Sequence, residues 1–261
     1  MGPRRIVCLT AETTEVAFAV GAGDRVVGVS GYAVRPPEAR QRPKVAAFQT
    51  AAIDRILALE PDLVLGFSDI QAPLAAELIR AGVTVLVTNQ RTLQETYAAI
   101  ELIGAACGEP ERGRALAREV EAELETVAGR SSRRRDRRPR VYFEEWNDPL
   151  ITGIAWVSEL IELCGGEDVF AGMRAQRRAP DRVVQPGDVL AAAPEVIIAS
   201  WCGKKARLER IAARPGWDAL PAVRNGHLYE IKSADILAPG PSLVHGARQL
   251  AAILDRVTGA A

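Results

Sequence analysis

Short apolar runs alternate with amphipathic segments through most of the chain. Ile6 to Leu9 is a four-residue apolar run, followed by Thr10-Ala11-Glu12-Thr13 and a helical stretch from Glu15 to Val20 that Gly21 and Gly23 stop. Val26 to Val29 reads as the next strand and Val45-Ala46 as a very short one. A helix over Ala52 to Leu59 ends at Pro61, and Leu63 to Gly66 is an apolar strand capped by Phe67-Ser68-Asp69. A second helix, Ala72 to Ala81, closes at Gly82 before the strand Val83 to Val87. Continuous apolar runs separated by amphipathic helices predict parallel strands with right-handed crossovers.

From Thr92 to Gly129 the period becomes helical, with a break at Cys107-Gly108-Glu109-Pro110. Glu111 to Val127 carries Ala115, Leu116, Val120, Leu124 and Val127 at helical spacing among charges, which predicts a helix with much exposed surface. The alternation then resumes. Val141-Tyr142-Phe143 is a strand, Glu144 to Pro149 a loop, and Ala155 to Cys164 a helix closed by Gly165-Gly166. Pro186 to Ala193, Val196 to Ala199, Leu228 to Ile231 and Leu243 to Val257 read as helix, strand, strand and helix. The expected organisation is an N-terminal α/β lobe over 1–110, a helical and basic connector over 111–138, and a C-terminal α/β lobe over 139–261. Ligands of open parallel sheets sit beyond the strand C-termini. That rule singles out Thr10 to Thr13, Ser30-Gly31-Tyr32, Phe48-Gln49, Phe67-Ser68-Asp69 and Thr88-Asn89.

Composition narrows the function classes. Of 261 residues, 48% are hydrophobic and 25% charged, which suits a globular chain able to bury a core without a staple. Thirty-three basic and 33 acidic residues cancel, so net charge points to neither nucleic acid nor an anionic membrane. The local run Arg133, Arg134, Arg135, Arg137, Arg138 and Arg140 has no interleaved aromatics and reads as a solvated connector. No apolar stretch approaches the roughly 20 residues that span a bilayer. Met1 to Arg5 leads straight into the Ile6 strand with no apolar signal region, which predicts a cytoplasmic protein. The alternative is a periplasmic or cell-envelope protein whose signal has been removed. Cys8, Cys107, Cys164 and Cys202 show no paired metal or redox spacing, and only Cys202, in a loop, is expected to be exposed.

Four stretches together resemble a known family. They are Ile6 to Thr10 with Thr14 to Gly21; Asp54 to Leu65, a helix then a strand; Glu159 to Phe170; and Asn225 to Tyr229. In family order, they are similar to the helical-backbone (class III) substrate-binding proteins that serve vitamin B12, haem and ferric-siderophore uptake. Within that family, Glu144 to Ile151 and Trp156-Val157 look most like the cobalamin-binding members. The resemblance implies two Rossmann-like α/β lobes with parallel sheets, joined by a single long helix, with a ligand cleft between them. It also implies non-enzymatic binding of a large metal chelate, cobalamin or another corrinoid, by a monomer, with an ABC transporter permease as partner and no nucleic acid. Ferric siderophore or haem is the alternative ligand. Two departures stand out. Relatives pair a cysteine at the Cys164 position with one in the last helix, but Arg248 to Ala252 has none, which fits a reducing compartment. The docking glutamates expected in Ser68 to Pro73 and Ala234 to Pro239 are also not evident.

A corrinoid needs aromatic and aliphatic walls and a few placed polar groups. The candidate ligand-binding residues are Thr10, Glu12, Tyr32, Phe48, Phe67, Trp146, Asn147, Trp201 and Asp235, with Glu144, Glu145, Ser200 and Lys204 as further polar candidates. Each aromatic also admits packing against its own lobe, and Trp156 and Trp217 read as core. Thr10 to Thr13 opens a helix whose free N–H groups suit an anionic or amide edge, while Glu12 there also matches the helix dipole. A rival reading is a chelatase-like enzyme on a tetrapyrrole, with Glu144, Glu145 or His245 as acid/base group. Adjacent strand residues point to opposite faces, however, which is poor for paired carboxylate work. His245 with Cys202 could ligate iron or cobalt only if the cleft brings them together. No nucleophile elbow, phosphate loop or dinucleotide fingerprint is present, and no catalytic cofactor is expected.

Overall fold

A computed structural model describes residues 2–47, 50–131 and 137–259. The chain divides into two compact units, Met1–Glu121 with Ala238–Ser242, and Ala122–Leu237 with Leu243–Ala261.

The first unit is built on strands that are apolar because both of their faces are covered. In chain order its elements are β1 (Ile6–Cys8), α1 (Ala11–Ala19), β2 (Val26–Ser30), β3 (Lys44–Ala46), α2 (Ile53–Leu57), β4 (Leu63–Phe67), α3 (Ala72–Arg80), β5 (Val85–Thr88) and α4 (Leu93–Ala106). The sheet order is β3-β2-β1-β4-β5, and every pairing is parallel. β1 is central: Ile6, Val7 and Cys8 pair with Leu63, Val64 and Leu65 on one side and with β2 on the other. The chain builds β1, β2 and β3 outward in one direction, then returns to lay β4 and β5 on the opposite side. The order therefore reverses between β1 and β4, and their C-terminal loops diverge there. Val7, Leu9, Ile56, Val64 and Leu78 form the core on one face of this sheet.

α5 (Pro110–Ser131) follows, and the boundary between the units falls inside it, at Glu121/Ala122. It packs on α4 through two glycines. A Cβ built on Gly104 would lie 2.5 Å from the Gly113 Cα, so only hydrogen fits between the two backbones. α4 itself starts at a capping box in which the Thr92 side chain accepts from the Glu95 N–H and Glu95 reaches back to Thr92.

The second unit contains β6 (Arg140–Asn147), β7 (Leu150–Thr152), α6 (Ala155–Leu163), β8 (Glu167–Asp168), α7 (Pro186–Ala192), β9 (Val196–Ala199), α8 (Leu208–Ala212), α9 (Pro221–Arg224), β10 (Leu228–Glu230), α10 (Ser233–Ile236) and α11 (Leu243–Thr258). Its sheet runs β10-β9-β6-β7, with β8 beside the start of β6. β6, β9 and β10 are parallel, while β7 returns antiparallel. The expected loop over Glu144 to Pro149 is corrected here. The strand continues to Asn147 and folds back at Asp148-Pro149, because Glu144 and Asn147 pair with Thr152 and Leu150. Polar residues disguised the strand, since the arginines that engage Glu145 and Glu144, Arg182 and Arg214, lie far along the chain. Trp217, Tyr142, Ile197, Val189 and Ile211 form the core, and Trp156, also buried, donates its indole N–H to the Ile236 carbonyl at 2.9 Å.

Gly104→Ala is expected to lower unfolding stability by about 1–3 kcal/mol through overpacking against Gly113. Urea unfolding checks it; an unchanged midpoint would show that α4 and α5 do not meet this closely.

Candidate functional site

In the first unit the candidate residues gather where the strand order reverses. Thr10 lies two residues beyond the end of β1. Its carbonyl accepts the Thr14 and Thr13 hydroxyls at 2.7 and 3.2 Å, and its own hydroxyl lies 3.0 Å from that of Thr13. Threonine side chains thus hold the first turn of α1 shut. Glu12, the second residue of α1, is only 4% exposed. Burial drives its pKa up from the ordinary 4.5 to about 7; hydrogen bonds from Thr10 and its own amide oppose this, and neighbouring Glu15 adds to it. One carboxyl oxygen, Oε1, has no hydrogen-bond partner. Glu15 is different, because Arg35 reaches it at 3.1 Å.

After β4, Ser68 takes a positive φ of 80°, a strained backbone for a residue with a side chain. Arg91 is buried beside it and donates to the Ser68 hydroxyl at 3.2 Å and to Asp69 at 2.8 Å. The Arg91 guanidinium also lies 5.4 Å from the ring centre of Phe67, the buried last residue of β4. Tyr32, after β2, is 49% exposed. Phe48 lies outside the described residues.

Gln90, two residues beyond β5, was missed by sequence reading, which stopped at Thr88-Asn89. It is 3% exposed and donates its amide to the Pro239 carbonyl at 3.2 Å, while its Oε1 is unpartnered. The rule that loops follow strands pointed to this segment, but nothing local marked the glutamine.

In the second unit the strand alternation of β6 sorts the carboxylates. Tyr142 and Glu144 share one face, and Glu144 is fully buried there. It accepts two bonds from Arg214, at 2.5 and 2.9 Å, one from the Trp201 indole at 3.0 Å, and one from the Tyr142 hydroxyl at 3.3 Å. Arg214 in turn stacks 4.5 Å from the Trp217 ring centre. Glu145, on the other face, receives the Arg182 guanidinium at 2.7 and 3.0 Å and the Ile154 N–H at 3.1 Å. The reading of either glutamate as an acid/base group is therefore corrected. Each is engaged by a bidentate arginine of its own unit, which leaves little of its hydrogen-bonding capacity for a substrate.

Trp146 and Asn147 sit half-buried near the tip of the β6–β7 hairpin. The Trp146 indole donates to the Asp148 carbonyl at 2.9 Å, and Lys204 Nζ lies 3.9 Å from the ring centre. Trp201 is 5% exposed and belongs to the core. Ser200, beside it, is buried with its hydroxyl unpartnered. Asp235, on α10, accepts the Gln249 amide at 3.0 Å. Cys202 and His245 are exposed. Among the described residues no group of three or more His, Cys, Asp and Glu is arranged to hold a metal ion.

A parallel five-stranded sheet, a second mixed sheet and loops gathered at strand C-termini define the class. Residues 6–234 match the family model described as periplasmic binding protein, and the chain belongs to that family. It is 30% identical over 241 residues to the vitamin B12-binding protein of Vibrio parahaemolyticus, an alignment covering 91% of this chain and 84% of that protein. Among solved structures it is similar to the haem-binding protein RhuT from Roseiflexus sp. RS-1 (TM-score 0.85, 27% identity, 98% and 99% of the two chains). It is also similar to the vitamin B12-binding protein BtuF of Vibrio cholerae (TM-score 0.77, 29% identity, 98% of each chain).

The chain is thus a solute-binding protein and not an enzyme. The expectation of a cytoplasmic location is overturned, because the family points to the periplasm. Two signals misled: the opening residues, and the missing cysteine partner. Cys164 is buried with its thiol against the Ala247 carbonyl, and the fold holds it there as a small apolar side chain without a disulfide.

Two outcomes follow. Unfolded, Glu12 loses its proton near 4.5, whereas folded it keeps it to about 7. Between these values the folded state binds more protons, so raising the pH costs stability, by up to about 3 kcal/mol from this group. Burial also raises Glu15 and Asp168, with the same sign. Glu12→Gln should therefore flatten, without abolishing, the fall in urea stability between pH 4.5 and 7.5; parallel curves would contradict the shift. Secondly, Arg214→Met strands Glu144 in the core and should cost about 3–5 kcal/mol, much of it recovered by adding Glu144→Gln. A loss under 1 kcal/mol in the single variant would show that Arg214 does not hold Glu144.

Proposed function

We propose that this chain binds a corrinoid, most simply cobalamin, and delivers it to the permease of an ABC transporter as a monomer. The observation that carries this reading is the 30% identity to vitamin B12-binding proteins along nearly the whole chain, 91% for one Vibrio relative and 96% for another. The strand-end groups are consistent with it. Exposed Tyr32 and half-buried Trp146 offer aromatic surface, and Thr10, Glu12, Asn147 and Asp235 offer polar atoms. Phe67 and Trp201, being buried, would serve as the floor beneath such a surface rather than as its free face. Phe48 is kept as a candidate on its position alone. The second reading, haem, rests on the likeness to the haem-binding protein RhuT.

The test is titration of the purified protein with cyanocobalamin, haem and a ferric siderophore, followed by tryptophan fluorescence and thermal unfolding. Cyanocobalamin is expected to quench saturably and to stabilise by about 2.7 kcal/mol at a hundredfold excess over Kd. Tyr32→Ala and Trp146→Ala should each weaken binding about tenfold. Preference for haem or the siderophore would refute the corrinoid assignment, and no shift with any of the three would refute the ligand class.

A further inference from the structure

The first unit contains two buried acceptor oxygens, Glu12 Oε1 and Gln90 Oε1, that nothing in the fold satisfies. Adjacent residues of the short segment Ala238–Ser242, which belongs to this unit although it is remote in sequence, touch both side chains. Gly240 packs directly on Glu12: a Cβ at Gly240 would lie 2.9 Å from the Glu12 Cβ, so no larger residue fits without displacing the carboxylate. Pro239, next to it, accepts the Gln90 amide N–H. That bond also fixes which end of the Gln90 amide is free, since with Nε2 engaged the remaining atom is an oxygen. The whole arrangement stands at the opening turn of the nine-residue helix α1, after β1, beside the point where the strand order reverses.

A buried acceptor left without a donor is costly, and native folds satisfy nearly all of them. Two such oxygens, on residues 4% and 3% exposed, call for a group that brings N–H or O–H donors. We infer that Glu12 and Gln90 form a subsite for a primary carboxamide on the edge of the ligand, and that they set its specificity for amide over carboxylate. A –CONH2 group has two N–H donors, one for each oxygen. A carboxylate in the same place has only acceptors, and it would face an ionised Glu12 as a like charge. Resting on the corrinoid reading, the inference adds a chemical reason for discrimination, because the corrin periphery carries primary amides where haem carries carboxylates.

The experiment is isothermal titration of the full chain at pH 8.5, where Glu12 is ionised, with two probes. One is cyanocobalamin, and the other is cyanocobalamin with a peripheral carboxamide hydrolysed to the carboxylate. The wild-type protein is expected to bind the amide form at least about tenfold more tightly than the acid form. Glu12→Met and Gln90→Met remove one acceptor each at similar volume and should bring that ratio to within about threefold. Glu12→Gln, which keeps the size and can turn an amide donor toward the ligand, should improve binding of the acid form and guards against a methionine variant that fails to fold. Unchanged ratios in all three variants, with cyanocobalamin still bound, would overturn the subsite alone and leave the oxygens to a structural water. Failure of the wild-type protein to bind either corrinoid would overturn the corrinoid reading and the subsite with it.

Discussion

In a parallel sheet every strand must hand the chain to a crossover, so all of its C-terminal ends open into loops at one edge. In the first unit β1 lies at the centre, with β2 and β3 built to one side and β4 and β5 to the other. The loops after β1 and β4 consequently leave in opposite directions. Thr10, Glu12, Ser68 and Arg91 collect around that divergence, and Ser68 holds a positive φ there. The strands are apolar in the middle of the sheet, where helices cover them, while the polar residues at their ends, Thr10, Glu12, Ser68 and Arg91, are also buried.

Charge in the described residues is handled in two distinct ways. Glu144 and Glu145 are neighbours on β6, yet alternation sends them to opposite faces, where each meets a separate arginine and is fully engaged. These pairs stiffen the base of the β6–β7 hairpin that carries Trp146 and Asn147. Glu12 has no arginine and is held instead by a helix N-terminus and Thr10, which leaves one oxygen free. A buried carboxylate with every lone pair used is structural. Glu12 has a lone pair left over, in the same unit as the unsatisfied Gln90 amide oxygen. This contrast separates the carboxylates better than sequence could, since all three occur in equally polar strand-end segments.

Membership of the periplasmic binding family fixes the general role as solute capture. Solved relatives include both haem-binding and vitamin B12-binding proteins at similar identity, 27% and 29%, so backbone likeness does not choose between them. Discrimination between such ligands then falls to side chains, since the corrin periphery carries primary amides where haem carries carboxylates.

Much of the fold was legible because its signals are local. Apolar runs at Ile6, Leu63 and Val196, the helix over Ala72 to Arg80 and the last helix from Leu243 all fell within a residue or two of their observed bounds, since strand burial and helical period are written in consecutive residues. The strand-end rule likewise points to the loops that hold Thr10, Glu12 and Ser68. What remained hidden depends on partners distant in the chain. β6 runs on through Glu144 to Asn147 because β7 and two arginines, Arg182 and Arg214, supply what polar strand residues lack. Gln90 became a candidate only through Pro239, 149 residues away. The sequence by itself determined the α/β class and the loops where a ligand could be met, because periodicity needs only neighbours. The tertiary structure alone decided which polar atoms in those loops are satisfied and which are free, because hydrogen-bond satisfaction is a property of what folds against a residue.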